Sequence, residues 1–150
     1  MDDDRAATTP PPTGFQTLAD SECLGLLRAG TVGRLGLTAN ALPVVVPVRY
    51  GMAGRCAVFA VAAGATLGSA RNNVVACLAI DAIDAMTGVG WMVLATGRLR
   101  EIADPSAIAF DDGLPLHASV LNSAEHIGAM DIELLSGTSS RPAWRLPPIG

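Results

Sequence analysis

The stretch Leu42–Gly51, LPVVVPVRYG, decides the fold. Leu42, Val44, Val46, Val48 and Tyr50 fall on one side; Pro43, Val45, Pro47 and Arg49 fall on the other. That is the period of a β-strand, and the β-branched run suits extended backbone. The two prolines lie four apart, so their missing N–H groups belong to one edge of the strand. Proline is tolerated at edges and bulges but not inside continuous ladders. The edge carrying positions 43 and 47 therefore cannot pair along its whole length. Two readings follow. Either this is an edge strand facing water, or it is the seam of a split barrel, with backbone carbonyls and the Val45 N–H open to a ligand or a second subunit.

Working outward, TVGRLGLT (31–38) reads as the preceding strand, joined through a turn at Ala39-Asn40. Before it, FQTLADSECLGLLRAG predicts a short amphipathic helix. Asp20, Ser21 and Glu22 suit its start, Cys23, Leu24 and Leu27 share a face, and Gly30 suits its end. After the turn GMAG, RCAVFAVA (55–62) reads as a strand. NVVACLAIDA (73–82) is apolar on both faces and predicts a central strand. GVGWMVLATGRLREI (88–102) is a long strand whose glycines permit bulges. DPSAIAF (104–110) predicts a second short helix, residues 111–126 are weakly patterned, and IGAMDIELLSG (127–137) predicts the last strand. Short turns rather than long helices separate the strands, which argues for antiparallel pairing. Six such strands curl most readily into a small barrel, which removes exposed edges. The expected fold is mainly β: a six-stranded antiparallel split barrel with short flanking helices. Residues 1–14, polar and then proline-rich, read as a disordered tail, and 15–150 as a single domain.

Composition narrows the chemistry. No apolar run approaches the roughly 18 residues of a membrane span. The opening Met-Asp-Asp-Asp-Arg lacks the apolar segment of a secretory signal, so the expected location is cytoplasmic, with no membrane partner. The net charge of −4 and the absence of a basic stripe argue against nucleic acid. All ten basic residues are Arg. With no lysine, Schiff-base chemistry and a P-loop are excluded, and any phosphate must be held by Arg, hydroxyls or backbone N–H groups. Cys23, Cys56 and Cys77 are widely spaced, without a zinc pattern. His117 and His126 lack a carboxylate at ligand spacing, so no metal site is expected. No catalytic dyad can be named.

VFAVAAGATLGSARNN (58–73) suggests a strand, a small-residue turn and a helix start, an arrangement that attracts anions. Taken together, LADSECLGLL, GTVGRLGL, LPVVVPVRY, this turn segment, TGVGWMVLATGRLREIADP and IELLSG resemble, in order, the pyridoxamine 5′-phosphate oxidase-like flavin-binding split-barrel family. The resemblance spans roughly residues 15–138. It implies a homodimer that holds FMN in grooves between subunits; some relatives take the deazaflavin F420, and others bind haem or nothing. It also implies that the flavin ring rests against Val46, Pro47, Val48 and Arg49, with Arg49 near the ring's N1–O2 edge. The phosphate would lie by Val61, Ala62, Thr66, Leu67, Ser69 and Arg71, and Trp91 and Met92 would form further groove wall, unless Trp91 simply packs in the core. The turn departs from the family pattern: where relatives carry Gly-Ser-Lys, this chain has Gly64-Ala65-Thr66, so a cation and a hydroxyl are missing. The implied function is an FMN- or F420-dependent oxidoreductase acting on a small molecule. The alternative is a non-enzymatic dimer that has weakened or lost flavin binding. Pyridoxamine phosphate itself is not the expected substrate, because too few basic residues are available for a second phosphate.

Overall fold

The computed structural model describes residues 15–39, 41–61, 72–102, 104, 108–111 and 126–140. Seven strands and one helix occur among them, in the order β1 (Gln16–Thr17), α1 (Asp20–Ala29), β2 (Val32–Ala39), β3 (Leu42–Ala53), β4 (Cys56–Val61), β5 (Asn72–Ile83), β6 (Gly90–Glu101) and β7 (His126–Ser139). All pairings are antiparallel. The sheet runs β7-β4-β3-β2-β5-β6 and closes through β6–β7, with β1 appended to β7. This is the expected six-stranded barrel. The second helix expected at 104–110 does not form at the described residues there: Asp104 and Ile108–Phe110 have no regular structure.

Helix α1 plugs the barrel. The Glu22 carboxylate accepts the Ala19 N–H at 2.8 Å, holding the helix start, and Arg28 lies in the last turn, where a cation suits the helix dipole. Cys23 and Leu27, four apart, are fully buried. The buried Tyr50 hydroxyl donates to the Leu27 carbonyl at 2.7 Å, beside a longer bond of 3.3 Å from the Gly30 N–H at the helix end. Gly30 is required there, because a Cβ would collide with that hydroxyl. The core joins Leu27 to Leu35, Phe59, Leu78, Trp91, Val93, Leu99 and Met130.

Alternation in β3 is as predicted, with even positions inward, but burial is graded along the strand. Val48, Tyr50 and Met52 are buried, whereas Leu42 is 66% exposed. The first half of β3 overhangs the core. The bulge expected of the glycines in β6 lies instead on its partner: Thr96 and Gly97 are consecutive, but β7 places Leu134 and then Ile132 opposite them, so Glu133 is the extra residue. A Cβ at Gly97 would collide with the Asp131 carbonyl.

The split is visible in the register. Strand β3 pairs with β2 from Leu42 to Arg49, but with β4 only from Arg49 to Ala53. The Tyr50 N–H donates to the Thr31 carbonyl at 3.0 Å, so even-numbered residues of β3 bond toward β2. Positions 43, 45 and 47 therefore point their backbone groups the other way. Among the described residues no strand lies against that edge. The prolines cost the β2 ladder nothing, and among the described residues the β4 ladder reaches only to Arg49.

A different cover closes the outside of β4 and β7. Val58, Ile127 and Ala129 are buried although they lie outside the main core. The Ile102 N–H donates to the Ile127 carbonyl and the Asp111 N–H to the Met52 carbonyl. The Asp111 carboxylate accepts the Gly54 N–H at 2.8 Å and Arg28 Nε at 3.1 Å. These bonds with Gly54 and Arg28 hold its carboxyl below the usual aspartate range.

Candidate functional site

The outward face of β3, β2, β5, β6 and β7 adjoins the open edge. Its side chains follow from register. One row crosses Val45, Gly36, Cys77, Thr96 and Leu134; the next crosses Pro47, Arg34, Ala79, Leu94 and Ser136. Val45 is 67% exposed, and Val32, Val75 and Leu134 are each at least half exposed. A face this apolar is unusual for a surface meant to stay in water.

Charge is sparse within it. Arg34 meets Asp81 at 3.3 Å, with the arginine side chain 64% exposed. Arg49 is exposed, directly opposite Val32 on one side and Ala60 on the other. Arg98 and Glu133 form a long pair of 3.9 Å near the β6–β7 bulge.

The sequence-predicted residues separate into three groups. Pro47 and Arg49 point outward beside the open edge, and half-buried Met92 lies on the same outward face of β6. Val46 and Val48 point inward and pack with the core, and their backbone N–H and C=O groups bond toward β2 rather than the seam. Trp91 is fully buried, so the expectation that it walls the groove is corrected in favour of packing. Its Nε1–H has no partner among the described residues, so the side chain serves by its bulk. Val61 ends β4 opposite His126. Ala62, Thr66, Leu67, Ser69 and Arg71 lie outside the described residues. Arg34, which the sequence reading passed over, was detectable: in TVGRLGLT it is the one charge, and it fixes which positions face out.

A cavity of about 440 Å³ opens elsewhere, lined by Cys56, Val58, Arg100, Ile102 and Ile108 among others. Of the described residues expected to hold a flavin, none lines it. Burial is the main influence pushing the Cys56 thiol up, with Asp131 adding to it, so this cysteine is not a ready nucleophile. Among the described residues no group of His, Cys, Asp or Glu could hold a metal ion. No helix of the described residues is long and apolar enough to cross a membrane.

The comparisons agree with this architecture. Residues 19–133 match the family model described as pyridoxamine 5′-phosphate oxidase. Uncharacterized protein Rv0080 of Mycobacterium tuberculosis is 31% identical over 121 residues, covering 77% of this chain and 79% of that one. The FAD-binding protein of Mycobacterium smegmatis has a similar fold, with a TM-score of 0.63 at 22% identity, over 85% of this chain and 99% of that one. The FAD- and haem-binding protein of the same organism matches with a TM-score of 0.63 at 16% identity, over 83% and 73%. A closed six-strand ring and a family match across most of its length make this chain a member of the pyridoxamine 5′-phosphate oxidase family.

Proposed function

We propose that the chain binds a flavin nucleotide along the open edge of β3, in a slot completed by a second copy of itself, and uses it to oxidise or reduce a small molecule. The observation that carries the reading is the edge at Pro43, Val45 and Pro47, against which no strand of the described residues lies, beside an apolar outward face. The residues fit the group. A flavin's pyrimidine edge presents one N–H between two carbonyls; the strand edge offers carbonyls at 43, 45 and 47 and one donor, the Val45 N–H. Pro47 and Met92 supply apolar contact, and Arg49 a cation. Solved neighbours that bind FAD support a flavin without fixing which one.

When bound, the flavin would supply hydride transfer, and the chain's part is to seat and orient it and keep water from it. No side chain need act as a base. The second copy is argued from the same apolar face, which a lone subunit would leave in water. The charge-poor turn Gly64-Ala65-Thr66 favours a second reading, a non-enzymatic flavin binder.

The test is the absorption spectrum of the purified full chain, followed by titration with FMN, FAD and F420 and by sedimentation. A protein that takes up none of the three at micromolar concentration refutes the flavin slot. A monomer mass refutes the shared interface, and bound flavin that no hydride donor reduces selects the non-enzymatic reading.

A further inference from the structure

The outward face holds two guanidinium groups close together and one carboxylate. Arg34 stands opposite Pro47, and Arg49 stands two residues further along β3, opposite Val32. The two arginines are thus diagonal neighbours on one face of an antiparallel pair, about 7–8 Å apart at the backbone and within mutual reach of long side chains. Asp81 pairs with Arg34 at 3.3 Å. Among the described residues no carboxylate pairs with Arg49. The neighbours in register, Pro47, Val32, Ala60, Ala79 and Gly36, offer no competing acceptor side chain. The local charge is a net single positive in apolar surroundings, where a bound anion is screened less than in water.

Its place matters as much as its charge. Arg49 is the last residue of β3 that pairs with both β2 and β4 before the seam opens, so its guanidinium stands at the root of the slot. The turn Gly64-Ala65-Thr66 carries no cation in this sequence. We infer that Arg34 and Arg49 form a two-arginine clamp for the phosphoryl group of the bound nucleotide, with Asp81 holding Arg34 in position. The clamp supplies from the sheet face the cation that the turn sequence lacks. Arginine suits this because its planar fork meets phosphate oxygens two at a time. This deepens the flavin reading and rests on it for the identity of the nucleotide.

The full chain is titrated with riboflavin, which has no phosphate, and with FMN, as wild type, R34Q, R49Q and the double variant. Both positions concerned are at the surface, and circular dichroism checks that each variant is folded. Wild type should bind FMN at least tenfold more tightly than riboflavin. Each single variant should lose roughly ten- to a hundred-fold in FMN affinity and little in riboflavin affinity. In parallel, inorganic phosphate should raise the melting temperature of wild type and not of the double variant. Equal binding of FMN and riboflavin by wild type, or unchanged FMN affinity in both single variants, overturns the clamp while sparing the flavin slot. Phosphate protection lost in the double variant, with no flavin bound, keeps the clamp as an anion site and refutes the flavin slot. Absence of both overturns both.

Discussion

Moving the proline by one residue tests the seam directly. At Val46 the N–H points toward β2, by the parity that the Tyr50–Thr31 bond sets. Val46→Pro removes that ladder bond and strands the Leu35 carbonyl opposite. The expected cost is about 2–4 kcal/mol, from the lost bond and the unsatisfied acceptor together. Pro47→Val removes a ring that makes no ladder bond to β2. Its cost is the added freedom of the unfolded chain, about 0.4–1 kcal/mol. For a chain of this size each kcal/mol moves the melting temperature by about 2–4 °C. Val46→Pro should therefore lower it by roughly 4–16 °C and Pro47→Val by no more than about 4 °C. Thermal melts followed by circular dichroism measure both. Equal losses, or a larger loss from Pro47→Val, would mean that the odd positions bond to β2 and that the seam lies elsewhere.

Three further outcomes follow from the packing. Tyr50→Phe removes the shorter of the two hydrogen bonds to the Leu27 carbonyl, leaving that from the Gly30 N–H, and should cost about 0.5–1.5 kcal/mol, read as a lower denaturant midpoint with an unchanged slope. Cys23, fully buried, with burial pushing its thiol up to about 11, should resist a thiol reagent in the folded protein, while Cys56 and Cys77 react first; early labelling of Cys23 would place α1 off the barrel. The Asp111 carboxyl is held below its ordinary value, chiefly by the Gly54 N–H and then by Arg28, so the unfolded chain binds its proton first as pH falls. Its stabilisation is complete above the ordinary aspartate range and is lost as pH drops through the lowered folded value; Asp111→Asn should flatten the acid side of the stability profile, and an unchanged profile would show that the clasp contributes nothing.

Much of the barrel can be read from period alone. The alternation of LPVVVPVRY and the helix between Asp20 and Gly30 both follow from local chemistry, whereas the bulge falls at Glu133 of β7, where no glycine marks it. The facing of Trp91 was less obvious, because β6 is apolar on both faces for most of its length. Arg98 and Arg100 set its parity: with both arginines outward, odd positions from Trp91 to Leu99 must point inward. The closure of β6 onto β7 has no signature in either strand, since period shows that a strand exists and not which distant strand lies beside it. The Arg34–Asp81 pair is hidden for the same reason, being 47 residues apart in sequence and adjacent only through the β2–β5 ladder.

The seam also bears on solubility. A strand edge left open is a template on which another chain can add itself, and repeated addition leads to fibres. On this edge two of the three outward-pointing positions have no hydrogen to give. An intruding polypeptide would find a single donor, at Val45, too few to anchor a ladder. A flat heterocycle needs only one, so the same two rings that admit a small guest turn away a β-strand.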